Sequence, residues 1–254
     1  IILGLIADIG VDGATYSALE FGGSAIASLS QDARFTIANM SVEAGAKAGL
    51  FAVDNITCEY ISARPGSKNF NSGSDCKSAA KRFSPDDGAA YSLVLNYNAN
   101  ALVPVVACPY NLDNVKPAAE LSDVKLDQIF LGSCTNGRLE DLAVAAKILV
   151  GKKVASNVRL LVVPASRGVY LEATRRGYIK ILVDAGAQVG HPACSLCAGR
   201  SGGILENSDR ILSTNNRNFH GRMGGENTEI YIASPAVAAA SAVTGRITDP
   251  GSEY

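Results

Sequence analysis

The chain has little of what would point to nucleic acid, membrane or a histidine-rich metal centre. Among 254 residues, Lys plus Arg (23) and Asp plus Glu (24) nearly cancel, leaving a formal net charge of −1. That balance gives no general attraction for polyanions or lipid headgroups, so no nucleic-acid and no membrane partner is expected. Any anion must be held by individually placed arginines. Only two histidines are present, His191 and His220, so a Cys3His zinc site is arithmetically possible. Long apolar runs are lacking as well. The opening run from Ile1 to Ala7 stops at Asp8, too short for a membrane span and without the basic start of a secretory leader. A cytoplasmic setting is expected, or an organellar stroma or matrix in a eukaryote.

What is present fits a folded α/β protein. Hydrophobic residues make up 47% and charged residues 19%, a composition with ample core material. The start at Ile1 inside an apolar segment, and the end at Gly251-Ser252-Glu253-Tyr254, lead us to expect an internal fragment of something longer. The pattern divides near residue 118. Residues 1–118 read as a partial α/β domain, with helical segments at 15–29 and 41–50 and a long surface loop with a short helix at 64–87. One or two strands are expected within 91–107, then a linker over 109–123. Residues 119–254 alternate strand and helix, with strands at 127–131, 158–163, 210–213 and 229–233. Helices are expected at 138–150, 169–185 (broken near Gly177) and after Ser234-Pro235, a strong start signal. Such alternation implies a mainly parallel sheet.

Six cysteines occur. A core of this size does not need disulfide staples, so Cys58 and Cys108, beside apolar runs, are expected to be buried thiols and Cys76 an exposed one. The other three stand in marked surroundings. Cys134 lies in Gly132-Ser133-Cys134-Thr135-Asn136-Gly137-Arg138, where a strand runs into a helix, the ligand edge of a parallel sheet. Thr135 and Asn136 are candidate helix caps there. Cys194 and Cys197 form a CxxC pair among small residues, which let backbone approach a bulky ligand. A lone CxxC is ambiguous between redox, half a zinc site and part of an iron–sulfur site. A third cluster, Asn215-Asn216-Arg217-Asn218-Phe219-His220-Gly221-Arg222, sets two arginines five apart in a loop that follows a strand. Guanidinium groups clamp carboxylates with paired hydrogen bonds, although a solvated polar loop would read the same way.

Four blocks carry a family resemblance: Thr36-Ile37-Ala38-Asn39-Met40-Ser41-Val42-Glu43-Ala44-Gly45-Ala46, Gly132 to Asn136, Ala193 to Cys197, and Asn216 to Arg222. In order and spacing they resemble the large subunit of the aconitase superfamily, nearest its isopropylmalate and homoaconitate branch. The resemblance implies an aconitase-like three-layer α/β/α fold with mainly parallel sheets in two lobes. It implies a [4Fe-4S] cluster on Cys134, Cys194 and Cys197, with a fourth iron left open as a Lewis acid. Arg217, Arg222 and Ser166 would bind substrate, and Asn39, Glu43, Asn136 and Asn216 would face the reaction. The implied activity is that of a hydro-lyase on a small hydroxy di- or tricarboxylic acid. The implied partner is a small subunit, or swivelling domain, supplying a catalytic serine, so this chain alone would not turn over. Two features depart from the family pattern: the flank Ala198-Gly199-Arg200, and residues 68–82, which match no motif. Homoaconitate and dimethylmalate are alternative substrates, and a non-catalytic zinc or redox module is the alternative of another class.

Overall fold

The computed structural model describes residues 1–64 and 73–251. Two compact units are present: Ala14–Leu102, and Ile1–Gly13 together with the chain from Val103 onward. The chain opens in the latter unit with helix α1 (Ile2–Ile9), which buries Ile2, Leu3, Leu5 and Ile6.

The 14–102 unit holds strand β1 (Ala18–Phe21), the single turn α2 (Ser24–Ala27) and helix α3 (Gln31–Met40). A 3-10 turn (Ser41–Ala44), strand β2 (Ala48–Phe51), α4 (Asn55–Ser62) and α5 (Gly73–Arg82) follow. The helix expected over 15–29 is therefore a strand and a short turn. Gly23, at a φ of 95°, breaks the run, and parallel pairing of β1 with β2 overrides the helical leaning of Ala, Leu and Glu. The helix expected over 41–50 likewise ends after one turn at Gly45, φ 84°. Beyond it β2 crosses α3 so closely that a Cβ on Gly49 would sit 2.4 Å from the Ser41 hydroxyl. Expectations for residues 65–72 fall outside the described residues.

One ion pair ties this unit together. Arg34 of α3, 2% exposed, meets Asp54 in a fork, Nη1 to Oδ1 at 2.8 Å and Nη2 to Oδ2 at 2.6 Å. Asp54 also caps α4 by accepting from the Thr57 amide at 3.0 Å. Hydrogen bonding from Arg34 holds the Asp54 carboxyl down at about 2, against an ordinary 3.8. Because the folded value is depressed, its contribution is present above 3.8 and is lost as pH falls through about 2. Asp54→Asn keeps the cap but strands a buried guanidinium. We expect a loss of about 2 kcal/mol at neutral pH, less than for a fully buried pair because Asp54 is 35% exposed. In urea titrations the gap between wild type and variant should narrow as pH falls below 3.8; a constant gap would contradict the assignment.

The second unit continues with β3 (Val105–Ala107), β4 (Val115–Pro117), β5 (Gln128–Gly132), α6 (Ser133–Asn136) and α7 (Leu139–Leu149). Then come β6 (Arg159–Val163), α8 (Arg167–Arg175), α9 (Tyr178–Ala185), β7 (Gln188–Val189), β8 (Arg210–Ser213), β9 (Glu229–Ala233) and α10 (Pro235–Thr244). Ser234 caps α10 by accepting from the Val237 amide, with Pro235 in the first turn. Within 91–107 only β3 is a strand. The expected linker over 109–123 contains β4, antiparallel to β3, and Pro117 ends that edge strand where no ladder donor is needed. Because β3 also pairs with β9, residues 103–118 belong with the C-terminal sheet, and the division falls at 102/103 rather than 118/119.

The large sheet has seven strands in the order β4-β3-β9-β8-β5-β6-β7. The five from β9 to β7 are parallel. This is the mainly parallel α/β architecture that the alternation implies. From β5 the chain steps outward through β6 to β7, then returns to place β8 on the other side of β5. The order therefore reverses between β5 and β8, and the crevice at their carboxyl ends is where ligands bind in open α/β sheets. Ile129, Leu131, Leu160, Val162 and Leu212 pack one face against α7, α9 and α10. No helix among the described residues is long and apolar enough to cross a membrane.

Candidate functional site

Strand β5 ends at Gly132, whose φ of 129° is open to glycine alone. Ser133 follows at a φ of 63° without being glycine, a conformation kept only where the surroundings enforce it. The enforcement is visible. The Ser133 hydroxyl, on a residue 1% exposed, donates to Asn215 Oδ1 at 2.7 Å. The Gly132 amide donates to Thr214 Oγ1 at 2.9 Å, and Asn136 Nδ2 donates to the Thr214 carbonyl at 2.7 Å. These bonds stitch the turn after β5 to the loop after β8, across the switch point. Cys134 is left exposed on the turn. It sits in the short turn α6 between β5 and the helix that follows, the place expected for it. Helix α7 starts afresh, with the Arg138 amide held by Asp141 at 2.8 Å. Thr135 and Asn136 are buried rather than capping.

Cys194 precedes, and Cys197 lies within, a 3-10 turn (Ser195–Ala198) that closes at Gly199 in the left-handed region. A Cβ on Gly199 would lie 2.5 Å from the Arg222 carbonyl, so the cysteine turn rests on the backbone of the arginine loop. Leu205 and Gly224 form a bridge between the same two segments, and Leu196 and Met223 are fully buried. Gln128 of β5 donates to the Gly203 carbonyl at 2.8 Å and anchors the segment to the sheet.

Arg222 Nη2 lies 4.0 Å from Cys197 Sγ, and its guanidinium stands 5.4 Å from the Phe219 ring. Its Nε is buried without a partner. Burial pushes the Cys197 thiol up, and Arg222 pulls it back down. The thiols of Cys134 and Cys194 are near enough to add a smaller upward push. Cys197 therefore feels both other sulfurs and one guanidinium.

The other expected residues are placed unequally. Arg217 and Asn216, partly buried, sit in the same loop as Arg222. Ser166 is exposed and its hydroxyl accepts from the Val169 amide at 3.2 Å as the cap of α8. Asn39, exposed at the end of α3, and Glu43, half-buried in the following turn, belong to the 14–102 unit. Both histidines have ring partners. His220 stacks on Tyr110 with centroids 3.6 Å apart, its Nδ1 3.2 Å from the Glu226 carbonyl, and His191 faces Tyr170 at 6.4 Å. Among the described residues no three of His, Cys, Asp and Glu are grouped so as to hold one metal ion.

Residue-by-residue reading missed the supports. Ser133, Thr214 and Asn215 are one. Asn218 is another: 2% exposed, it donates to the carbonyls of Cys108 at 2.8 Å and Asn111 at 3.3 Å. Their one signal was membership of the polar blocks around the cysteine and the arginines.

Fold and site together define an α/β protein with a thiol-and-guanidinium site at the carboxyl edge of a parallel sheet. Residues 1–245 match the aconitase family, described as aconitate hydratase, and the chain belongs to that family. It is 50% identical over 250 residues to the 3-isopropylmalate dehydratase large subunit of Elusimicrobium minutum, covering 98% of this chain and 57% of that protein. The large subunit of Nitratidesulfovibrio vulgaris is 50% identical over 252 residues, covering 99% and 57%. Large subunit 2 of Archaeoglobus fulgidus is 48% identical over 250 residues, covering 98% and 58%. The chain thus spans a little under three-fifths of the length of these relatives.

Proposed function

We propose that this chain is the cysteine- and arginine-bearing part of a hydro-lyase that removes and re-adds water on a hydroxy dicarboxylic acid. The substrate we assign is isopropylmalate, on the strength of the relatives' name, and the setting that the family resemblance implies is cytoplasmic leucine biosynthesis. Homoaconitate and dimethylmalate are the alternatives. The observation that carries the reading is Arg222 Nη2 at 4.0 Å from Cys197, in a loop bonded to the turn that bears Cys134.

The donor set fits a [4Fe-4S] cluster held at three corners. Cys134, Cys194 and Cys197 supply three thiols, and Cys197 feels the charge of the other two. Three thiols suit a cluster that leaves one iron open, whereas a closed zinc site needs a fourth ligand. When bound, such a cluster supplies a Lewis-acidic iron to a substrate oxygen. The chain's own residues do the rest. Arg222, whose buried Nε lacks a partner, and Arg217 receive substrate carboxylates in two-pronged hydrogen bonds. Asn136 and Asn216 line the stitched turns, and Asn136 is fixed by the Thr214 carbonyl. Ser166, Asn39 and Glu43 keep, as proposals, the roles that the resemblance gives them. The relatives' name "large subunit" supports a companion small subunit; the serine that takes the proton from the carbon next to the hydroxyl is assigned to that subunit by the family resemblance alone.

Anaerobic reconstitution with iron and sulfide tests this reading. About four of each per chain is expected. One zinc per chain without sulfide, lost in His220→Ala, would instead favour a structural metal module.

A further inference from the structure

Cys58 and Cys76 are joined in a disulfide, contrary to the expectation of one buried and one exposed thiol. We propose that this pair is a reversible redox clip that fixes α5 to α4, chemically separate from the three thiols of the site. The inference stands whatever the activity is. The two Cα atoms lie 5.8 Å apart, inside the span that a disulfide bridges without backbone movement. Cys58 is the buried residue of α4, so one end of the clip is rooted. At the other end none of the described α5 side chains is buried, and Lys77, Lys81 and Arg82 face solvent. The sulfur–sulfur bond is thus the covalent tie between an exposed helix and a buried position of α4. Cys134, Cys194 and Cys197 are free thiols in the other unit. The six cysteines thus sort into a bonded pair and a reduced trio, plus the buried Cys108.

The chemistry is thiol–disulfide exchange. To close the clip, one protein thiolate attacks a small-molecule disulfide such as oxidised glutathione and expels one thiolate. The second protein thiolate then attacks the mixed disulfide and expels the other, so two protein thiols are oxidised as one small disulfide is reduced to two thiols. To open it, one thiolate of a dithiol attacks the half-exposed Cys76 sulfur and Cys58 leaves as thiolate; the second thiolate of the dithiol then attacks the mixed disulfide and expels Cys76 as thiolate, leaving the dithiol as a cyclic disulfide. A compartment that keeps thiols reduced makes such a bond transient, hence responsive to the redox state.

The test uses the full chain, handled anaerobically and divided between glutathione disulfide and dithiothreitol, with alkylation and mass mapping. The expected result is one intrachain bond, Cys58–Cys76, in the first sample and none in the second. Amides of α5 should exchange hydrogen several-fold faster after reduction, while those of α7 and α10 do not change. Cys58→Ser and Cys76→Ser should show the fast α5 exchange under both conditions. A bond found among Cys134, Cys194 and Cys197 in place of Cys58–Cys76, no bond in either sample, or equal α5 exchange in both would overturn the proposal.

Discussion

Cys134→Ser should leave the fold intact and reduce bound iron and sulfide, after anaerobic reconstitution, from about four of each per chain to a trace. The two halves of this expectation have different causes. Cys134 is exposed on the turn α6, and its position is set by Ser133, Gly132 and Asn136 through the loop after β8. None of those bonds involves the sulfur, so the substitution should change stability by no more than about 0.5 kcal/mol, the ordinary range for surface sites. Retention is different, because a group held at three corners loses a third of its attachment and the hydroxyl is a poor substitute for a thiolate. Cys108→Ala is the control. Burial pushes the Cys108 thiol up, which keeps it protonated and away from metal, so this variant should load as wild type does. Circular dichroism on each variant separates a lost site from a lost fold. Full iron in Cys134→Ser would remove Cys134 from the ligand set, and loss of iron in Cys108→Ala with the fold intact would add Cys108 to it.

The sequence was readable where chemistry is concentrated in rare residues and where strands are strongly apolar. Strands β8 and β9 fall where the runs at 210–213 and 229–233 place them, and α10 starts at its Ser-Pro signal. The same reading failed on β1 and β2, which are short and half-exposed, each with a single strand-favouring residue, Phe21 and Phe51, behind Ala, Gly, Leu and Glu; their pairing makes them strands. Strand β7 is two residues long and has no pattern to find. In the site, the cysteines and arginines stood out, and Arg222 Nη2 lies 4.0 Å from Cys197 Sγ. Ser133, Thr214, Asn215 and Asn218 did not stand out. A short polar side chain in a loop reads the same whether it is solvated or buried. Only the reversal of strand order between β5 and β8 brings residue 133 against residue 215, and spacing does not encode that. The Cys58–Cys76 bond was hidden for a related reason, since its second half lies in a polar stretch with no signal of proximity.

Gly132→Ala should be the most damaging single-methyl change in the site, costing upwards of about 4 kcal/mol, a range reserved for a few severe mechanisms. Two penalties combine. At a φ of 129° and ψ of −136°, the backbone occupies a region essentially restricted to glycine, which by itself costs of order 1–3 kcal/mol for other residues. The added Cβ would also lie 2.0 Å from the Val163 carbonyl oxygen and 2.8 Å from its carbon. Those atoms are backbone at the end of β6, paired in register with Gly132 itself, and cannot swing aside as a side chain tip would. Relief requires β5 and β6 to separate at their carboxyl ends, which would pull the Gly132 amide from Thr214 and Ser133 from Asn215. The stitched turn and the placement of Cys134 would go with it. Gly151→Ala supplies the comparison: its φ is 72°, but nothing lies within 4 Å of the added Cβ, so about 1–2 kcal/mol is expected. The net stability of a domain is about 5–15 kcal/mol. Gly132→Ala should therefore unfold the chain or leave it barely folded in urea titration, and Gly151→Ala should shift the midpoint modestly. Equal shifts would mean that the close approach to β6 carries no cost, and that the β5 turn can relax without parting the two strands.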